Sequence, residues 1–457
     1  MIAELLDRLA TWSAYDTWIA LTAALSAMAC AIPGVFLLLR RQSMMGDALS
    51  HTSLLGIALG FLAAVALRDS GWLSPVGFAA VRHAAIFAGA VAIGVLASLL
   101  TETIHRLGRV EASAALGVVF TTLFALGLLL IRLVADDVDL DPDCVLYGVL
   151  ETQPAHAPWV NGGMFVLNAL LVVLFFKELR IATFDPALAT AQGISAAWVH
   201  YALMGVTAAT LVAAFESVGS ILVIAMLIAP GATALLLSQR LAVVALLAVV
   251  LAGASGVAGH ALSIAAPAVL PLGPPGTIRS VSTSGMIAVT AGGLFALAVL
   301  LAPRQGLLSR LLHQVRLSVR TMAEDLLGHM YRREEASASG ELLPPLPPRG
   351  AYSHGGPLLR RLALWLLRCR GWIARGPAGY VLTAQGHEQA RELVRSHRLW
   401  ETYMSRHFAL QDDHLHATAE RVEHHIGAEL REELARELDQ PAHDPHGRQI
   451  PGTRGGA

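Results

Sequence analysis

The first two thirds of the chain alternate long apolar runs with short polar connections. Runs of roughly 18–25 apolar residues are the length needed to cross a bilayer as helix. About nine such spans are predicted, near residues 17–39, 48–67, 80–100, 113–134, 159–176, 198–215, 219–237, 241–266 and 284–302. The short connection at 216–218 can also be read as a break within one re-entrant element. Past residue 303 the pattern changes to one crowded with Arg, Glu, His and Pro. A helix is expected over 311–335. The stretch "ASASGELLPPLPPRGAYSHGGP" is too rich in Pro and Gly for regular structure. After it the pattern predicts a helix, two short strands around a turn at 376–379, and another helix, which is compatible with a winged helix.

The expected fold is therefore an all-α polytopic membrane domain followed by a small, mostly helical soluble domain. Expected boundaries are 1–310 for the membrane domain, 311–357 for a helix and Pro/Gly-rich linker, and 358–457 for the soluble domain. Composition fits this division: 55% of the 457 residues are hydrophobic and the formal net charge is only -1. Basic residues orient the spans. Arg40–Arg41, His105–Arg109, Lys177–Arg180, Arg240 and Arg304–Arg310 fall on one side, taken as cytoplasmic. The acidic run "DDVDLDPD" (136–143) falls on the other. The N-terminus is then outside and the C-terminal domain cytoplasmic, which requires an odd number of spans. The three cysteines, Cys30, Cys144 and Cys369, are far apart and suggest no disulfide framework. No cleavable signal peptide is expected.

Some polar residues stand where polarity is costly. Asp47 and His51, in "RRQSMMGDALSHTSLLGIALGF", are four apart and share one helix face. A carboxylate and an imidazole can ligate a divalent cation such as Mn, Fe or Zn; they can equally form a hydrogen bond that holds the helix. His260 and Glu216 could complete a site with this pair, or could be a helix-packing histidine and an interfacial carboxylate. In the soluble part His397 and Glu401 are four apart, as are His416 and Glu420, and Glu423 and His424 follow. This arrangement suits metal binding, with a solvated ion-pair face as the alternative. The segment "KELRIATFDPALATAQGI" is amphipathic, and Asp185–Pro186 make a sound helix start. Lys177 is the only lysine, so G-x-x-x-x-G-K-[ST] is absent and the chain has no phosphate-binding loop for ATP.

The motifs "LLLRRQSMMGDALSHTSLLGIALGF", "FDPALATAQGI", "SVGSILVIAMLIAPGATALLL" and "GMIAVTAGGLFALAVLLAP" resemble those of permease subunits of the metal-ion ABC importers, the ABC-3 family. The resemblance implies a permease for manganese, iron or zinc in the bacterial inner membrane. It would work with a second permease subunit, a cytoplasmic ATPase dimer and an extracytoplasmic metal-binding protein. It also implies that Asp47 and His51 lie on the cation path, and that Phe184, Asp185, Pro186 and Gly193 belong to the segment that docks into the ATPase.

The tail resembles a second family, the metal-dependent repressors of the diphtheria-toxin-repressor and manganese-repressor type, through "LTAQGHEQARELVRSHRLWETYM", "HATAERVEHH" and "DPHGRQIP". That resemblance implies one metal site at His397, Glu401 and His416 and a second at Glu420, Glu423 and His424. Asp325 stands at a further ligand position, and Gly328 stands where manganese-type members place a carboxylate. The prolines and glycines of 336–357 fall where the family has the first helix of its helix–turn–helix, which argues against DNA binding. Manganese or iron is favoured over zinc by this second resemblance. Two other functions are consistent with the residues: a membrane-tethered, metal-responsive transcription regulator, and an ATP-independent metal transporter.

Overall fold

The computed structural model describes residues 10, 12–70, 75–134, 150, 153, 155–269, 281–303, 305–338, 356–376, 379–408, 418–420 and 422–452. The acidic run at 136–143, most of the Pro/Gly-rich stretch and His416 lie outside the described residues. The chain divides into two compact units, residues 1–309 and 310–457.

The first unit is wholly helical among the described residues. Its elements are α1 (Ala14–Leu39), α2 (Ser43–Asp69), α3 (Pro75–Gly108), α4 (Ala112–Val134), α5 (Ala157–Leu174), α6 (Phe176–Phe184), α7 (Pro186–Ala191), α8 (Ala196–Val218), α9 (Ser220–Leu237), α10 (Leu241–Val269) and α11 (Thr283–Leu301). Eight of them are long and apolar enough to cross a membrane, and Leu222–Leu237 is a shorter apolar helix. All nine expected spans are therefore helices, one of them short.

Helix α1 is buried on nearly every face and is the centre of this unit. It starts with a capping box, in which Ser13 accepts from the Asp16 amide and the Asp16 carboxylate accepts from the Ser13 amide at 2.7 Å. Small residues let the backbones meet, as expected where lipid gives no hydrophobic drive between helices. A Cβ on Gly34 of α1 would lie 1.9 Å from the Leu227 carbonyl oxygen of α9. Polar ties add to the packing: Asn168 of α5 donates to Thr210 of α8 at 2.9 Å and to the Ala29 carbonyl at 3.0 Å.

The connection between α8 and α9 differs from the sequence expectation. The helix continues through 216–218, so Glu216 lies within α8, and the break falls at Gly219. Gly219 has φ +83 and ψ 158, a conformation open to glycine and closed to side chains with a Cβ.

The second unit contains α12 (Leu307–Ala338, most of whose length lies here), α13 (Pro357–Cys369), β1 (Ile373–Gly376), β2 (Gly379–Leu382), α14 (Ala384–His407), a short 3-10 turn at Glu423–His425, and α15 (Ala428–Glu437). The strands pair antiparallel, with Ile373 opposite Leu382. The expected order of helix, strand pair and helix is present. One core joins Met322, Leu326 and Leu327 of α12 to Ala363 and Leu367 of α13 and Ala390 of α14. A second joins Leu399 to Ala435, Leu438 and Ile450. Arg398 is fully buried and binds Glu335 at 3.0 Å, the Gln449 carbonyl, and Asp444 at 3.6 Å. A buried guanidinium needs such partners, and these fasten the C-terminal segment to α14.

Candidate metal sites

In the first unit Asp47 and His51 sit in the opening turns of α2, just after the tight turn at Arg40–Gln42. The turn is marked by Arg41 at φ +58. The Asp47 Oδ1 and His51 Nε2 atoms are 3.5 Å apart, with side chains 45% and 24% exposed. The His51 ring packs edge-on to Phe124 at 5.4 Å and against Phe120 at 5.6 Å. The aromatic rings fix the imidazole while the carboxylate stays open. Such a pair offers two donors of mixed oxygen and nitrogen character, which suits a borderline divalent ion.

His260 does not join this pair. It lies in α10, 3% exposed, with Nε2 at 3.4 Å from Asp16 Oδ1 of α1 and Nδ1 at 3.4 Å from the Thr283 hydroxyl. Trp12 packs edge-on to its ring at 5.3 Å. Asp16 is near the start of α1, whereas Asp47 follows the end of that helix. Gly46, next to Asp47, meets Leu227, which also meets Gly34 of α1; at 1.5 Å per residue from Asp16 to Gly34 the two clusters lie roughly 27 Å apart along α1. The expectation that His260 could complete a site with Asp47 and His51 is therefore corrected: they occupy opposite ends of the helices. Asp16 was missed in the sequence because its position, three residues after Ser13, reads fully as a helix cap.

The segment around Asp185 is built as its residues dictate. Asp185 caps α7 by accepting from the Leu188 amide at 2.9 Å, and Pro186 occupies the first turn. Gly193 closes the turn with φ +80, and Phe184 is 64% exposed. Arg40, at the end of α1, donates to the Thr183 hydroxyl at 3.3 Å and lies 3.5 Å from His200 Nδ1. The segment is thus bonded directly to the turn from which α2 and the Asp47–His51 pair emerge.

In the second unit α12, α14 and the 3-10 turn converge. The His424 Nε2 atom is 3.0 Å from Asp325 and 3.9 Å from Glu423, and its Nδ1 is 2.9 Å from Glu324. Ligand atoms of Asp325, Glu423 and His424 all lie within 4.8 Å of one another. Two donors of one ion with bonds of about 2.1 Å lie at most about 4.2 Å apart. The His424 separations of 3.0 Å from Asp325 and 3.9 Å from Glu423 fall inside that limit. Two carboxylates and an imidazole suit Mn, Fe or Zn, so the residues fit a metal.

His397 stands on the other side of Glu423. Its Nδ1 is 2.5 Å from Glu423 and its Nε2 3.0 Å from Glu401. The two sets expected from sequence are therefore not separate; Glu423 touches both histidines. Glu420 is exposed and stands outside the cluster, which corrects its expected place beside Glu423 and His424. It precedes the 3-10 turn that aims Glu423 inward. Gly328 carries no carboxylate, and a Cβ there would meet Arg332 and Leu393 at 3.3 Å. Glu324 was missed in the sequence; its only signal there is adjacency to Asp325.

The electrostatics follow from burial and pairing. Burial opposes charge on His424, but hydrogen bonds to Asp325 and Glu324 outweigh it and lift the pKa to about 10. Burial likewise opposes charge on His397, and Glu401 and Glu423 overcome it to raise the pKa. For Glu324 burial is overcome by His424 and Arg320, and its pKa falls. Without an ion the protons on the imidazoles hold these carboxylates together; an ion bound to either imidazole must displace a proton.

The fold and these sites define a polytopic helical membrane protein that carries a distinct unit with a cluster of candidate metal ligands. The ABC 3 transport family matches residues 15–302, and the iron dependent repressor, metal binding and dimerisation domain matches residues 383–452. The chain is 36% identical to the manganese transport system membrane protein MntD of Bacillus subtilis, over 65% of this chain and 95% of that one. It is also 36% identical to the zinc transport system membrane protein TroD of Treponema pallidum, over 80% of this chain and 96% of that one. The PsaBC structure from Streptococcus pneumoniae in complex with Fab superposes with a TM-score of 0.52 at 30% identity, covering 67% of this chain and 98% of that one. The chain belongs to the ABC 3 transport family, as a multi-pass permease, and its residues 383–452 match the metal binding and dimerisation domain of iron dependent repressors.

Proposed function

We propose that the chain imports manganese or iron across the bacterial inner membrane, coupled to a separate cytoplasmic ATPase dimer. A second permease subunit and an extracytoplasmic metal-binding protein complete the assembly. Asp47 and His51 handle the ion. The observation that carries this reading is their mixed donor pair, braced by two phenylalanines, in a chain whose relatives include a manganese transport protein. Zinc remains the second substrate, since a zinc transport protein matches equally well. The α6–α7 segment is the contact with the ATPase, and Arg40 carries its movement to α2.

The tail is a cytoplasmic sensor that slows import when internal metal is high. A brake requires that metal favour one conformation of the tail over another. The cluster supplies the means, because an ion replaces protons that pair the imidazoles with four carboxylates. Uptake by the full chain and by a chain ending near Arg310, each at low and high internal metal, tests this. Only the full chain should slow at high metal, and Glu423→Ala with His424→Ala should remove the slowing. Identical metal dependence of both chains would refute the brake.

A further inference from the structure

Helix α13 has two apolar faces, and the core uses one of them. Ala363 and Leu367 are buried against α12 and α14. Leu358, Leu362 and Trp365, spaced i, i+4 and i+7, form a second stripe that is 68%, 37% and 64% exposed. Arg361 and Arg368 border the stripe and are exposed. Tyr380 and Val381 of β2 add 39% and 46% exposed apolar side chains. Residues 357–376 contain five arginines, at 360, 361, 368, 370 and 375, and no Asp, Glu or Lys. Arg370 stacks over the Trp372 ring at 4.8 Å.

We propose that α13 is a membrane-surface helix that lays its Leu358–Leu362–Trp365 stripe into a bilayer containing anionic lipid. A helix with Leu and Trp on one face and arginines along its border lies in the plane of the headgroups, apolar side down. The all-positive segment is complementary to an anionic leaflet. The same chain spans the bilayer, so the encounter is intramolecular and needs only modest intrinsic affinity. A helix that reads duplex DNA instead presents polar side chains to base edges, and this stripe offers two leucines and a tryptophan. The surface is independent of the metal cluster, and its test does not depend on transport or metal binding.

Cys369 is exposed one turn beyond Trp365, and Cys30 is fully buried. With Cys144→Ser, a bimane fluorophore can be attached at Cys369 of the full chain. The protein is placed in nanodiscs of phosphatidylcholine, with or without phosphatidylglycerol. With phosphatidylglycerol the emission should shift to the blue and iodide quenching should fall severalfold. High salt should reverse both changes, as should Leu362→Ser with Trp365→Ser and, separately, Arg361→Glu with Arg368→Glu. Hydrogen exchange in α14 should stay unchanged in both variants, which separates docking from folding. The same emission and quenching in both nanodiscs would overturn the proposal. Protection gained only on adding generic duplex DNA would overturn it in favour of a nucleic-acid surface.

Discussion

Replacing Glu324 with Ala tests whether the histidine of the tail cluster is held for metal by a carboxylate outside the expected ligand set. Glu324 accepts from His424 Nδ1 at 2.9 Å and is itself held by Arg320 at 2.8 Å. This leaves His424 Nε2 facing Asp325 and Glu423, the geometry in which a ligating imidazole is oriented through its other nitrogen. Losing such a partner costs about 10–100-fold in metal affinity. The bond exists with and without the ion, so part of it cancels in the binding equilibrium. The lower end, about tenfold or ~1.4 kcal/mol, is therefore expected. Arg320 is 59% exposed, so Arg320→Ala should change affinity by less than about threefold. The assay is titration of the full chain with Mn2+, in a background of Asp47→Ala and His51→Ala so that the tail dominates. Asp325→Ala, which removes a proposed ligand, should cost more than Glu324→Ala. An affinity for Glu324→Ala within about twofold of its parent would refute the reasoning, since an orienting partner cannot be silent.

Replacing Pro186–Ala191 with a flexible Gly/Ser segment should uncouple ATP hydrolysis from uptake, and full coupling would remove this segment from the ATPase contact. Asp185→Ala should do so partially, since loss of a cap costs about 1 kcal/mol. In the metal-free tail the raised pKa of His424, about 10, means its pairing stabilises fully below the ordinary value of 6.5 and is lost as pH rises toward 10. Hydrogen exchange around residues 423–425, measured with chelator, should therefore quicken from pH 7 to 10 beyond the intrinsic rate; unchanged protection would contradict the pairing. Gly34→Ala must push α1 from α9, because its Cβ falls 1.9 Å from a backbone oxygen. It should lower stability by about 1–3 kcal/mol in a detergent melting assay, and a melting temperature equal to the parent's would show that the helices do not cross there.

The apolar runs made the nine helical segments legible, because length and composition are local properties of a span. The strand pair was legible from the turn between its apolar flanks. The break at Gly219 was not, since "ESVGSIL" has no periodicity that separates a glycine hinge from a polar connection at Glu216. Pairings were the harder part. His260 meets Asp16 across more than two hundred residues of sequence, and nothing in either neighbourhood announces it. The i, i+4 spacing did place His397 beside Glu401. It misplaced Glu420, because helical spacing does not apply where the chain passes into a 3-10 turn at Glu423. Glu324 was hidden behind Asp325: adjacent residues on a helix point about 100° apart, and only the position of His424 shows that both reach it.

The account rests on the Asp47–His51 pair carrying metal through an ATP-driven permease. The direct measurement is 54Mn uptake into proteoliposomes holding this chain with its ATPase partner, with and without ATP. Asp47→Ala and His51→Ala are compared after matching for assembled complex. ATP-dependent uptake by the parent, lost in both variants while complex and ATP hydrolysis persist, is the predicted result. Uptake that proceeds without the ATPase, or that survives both substitutions, would contradict it.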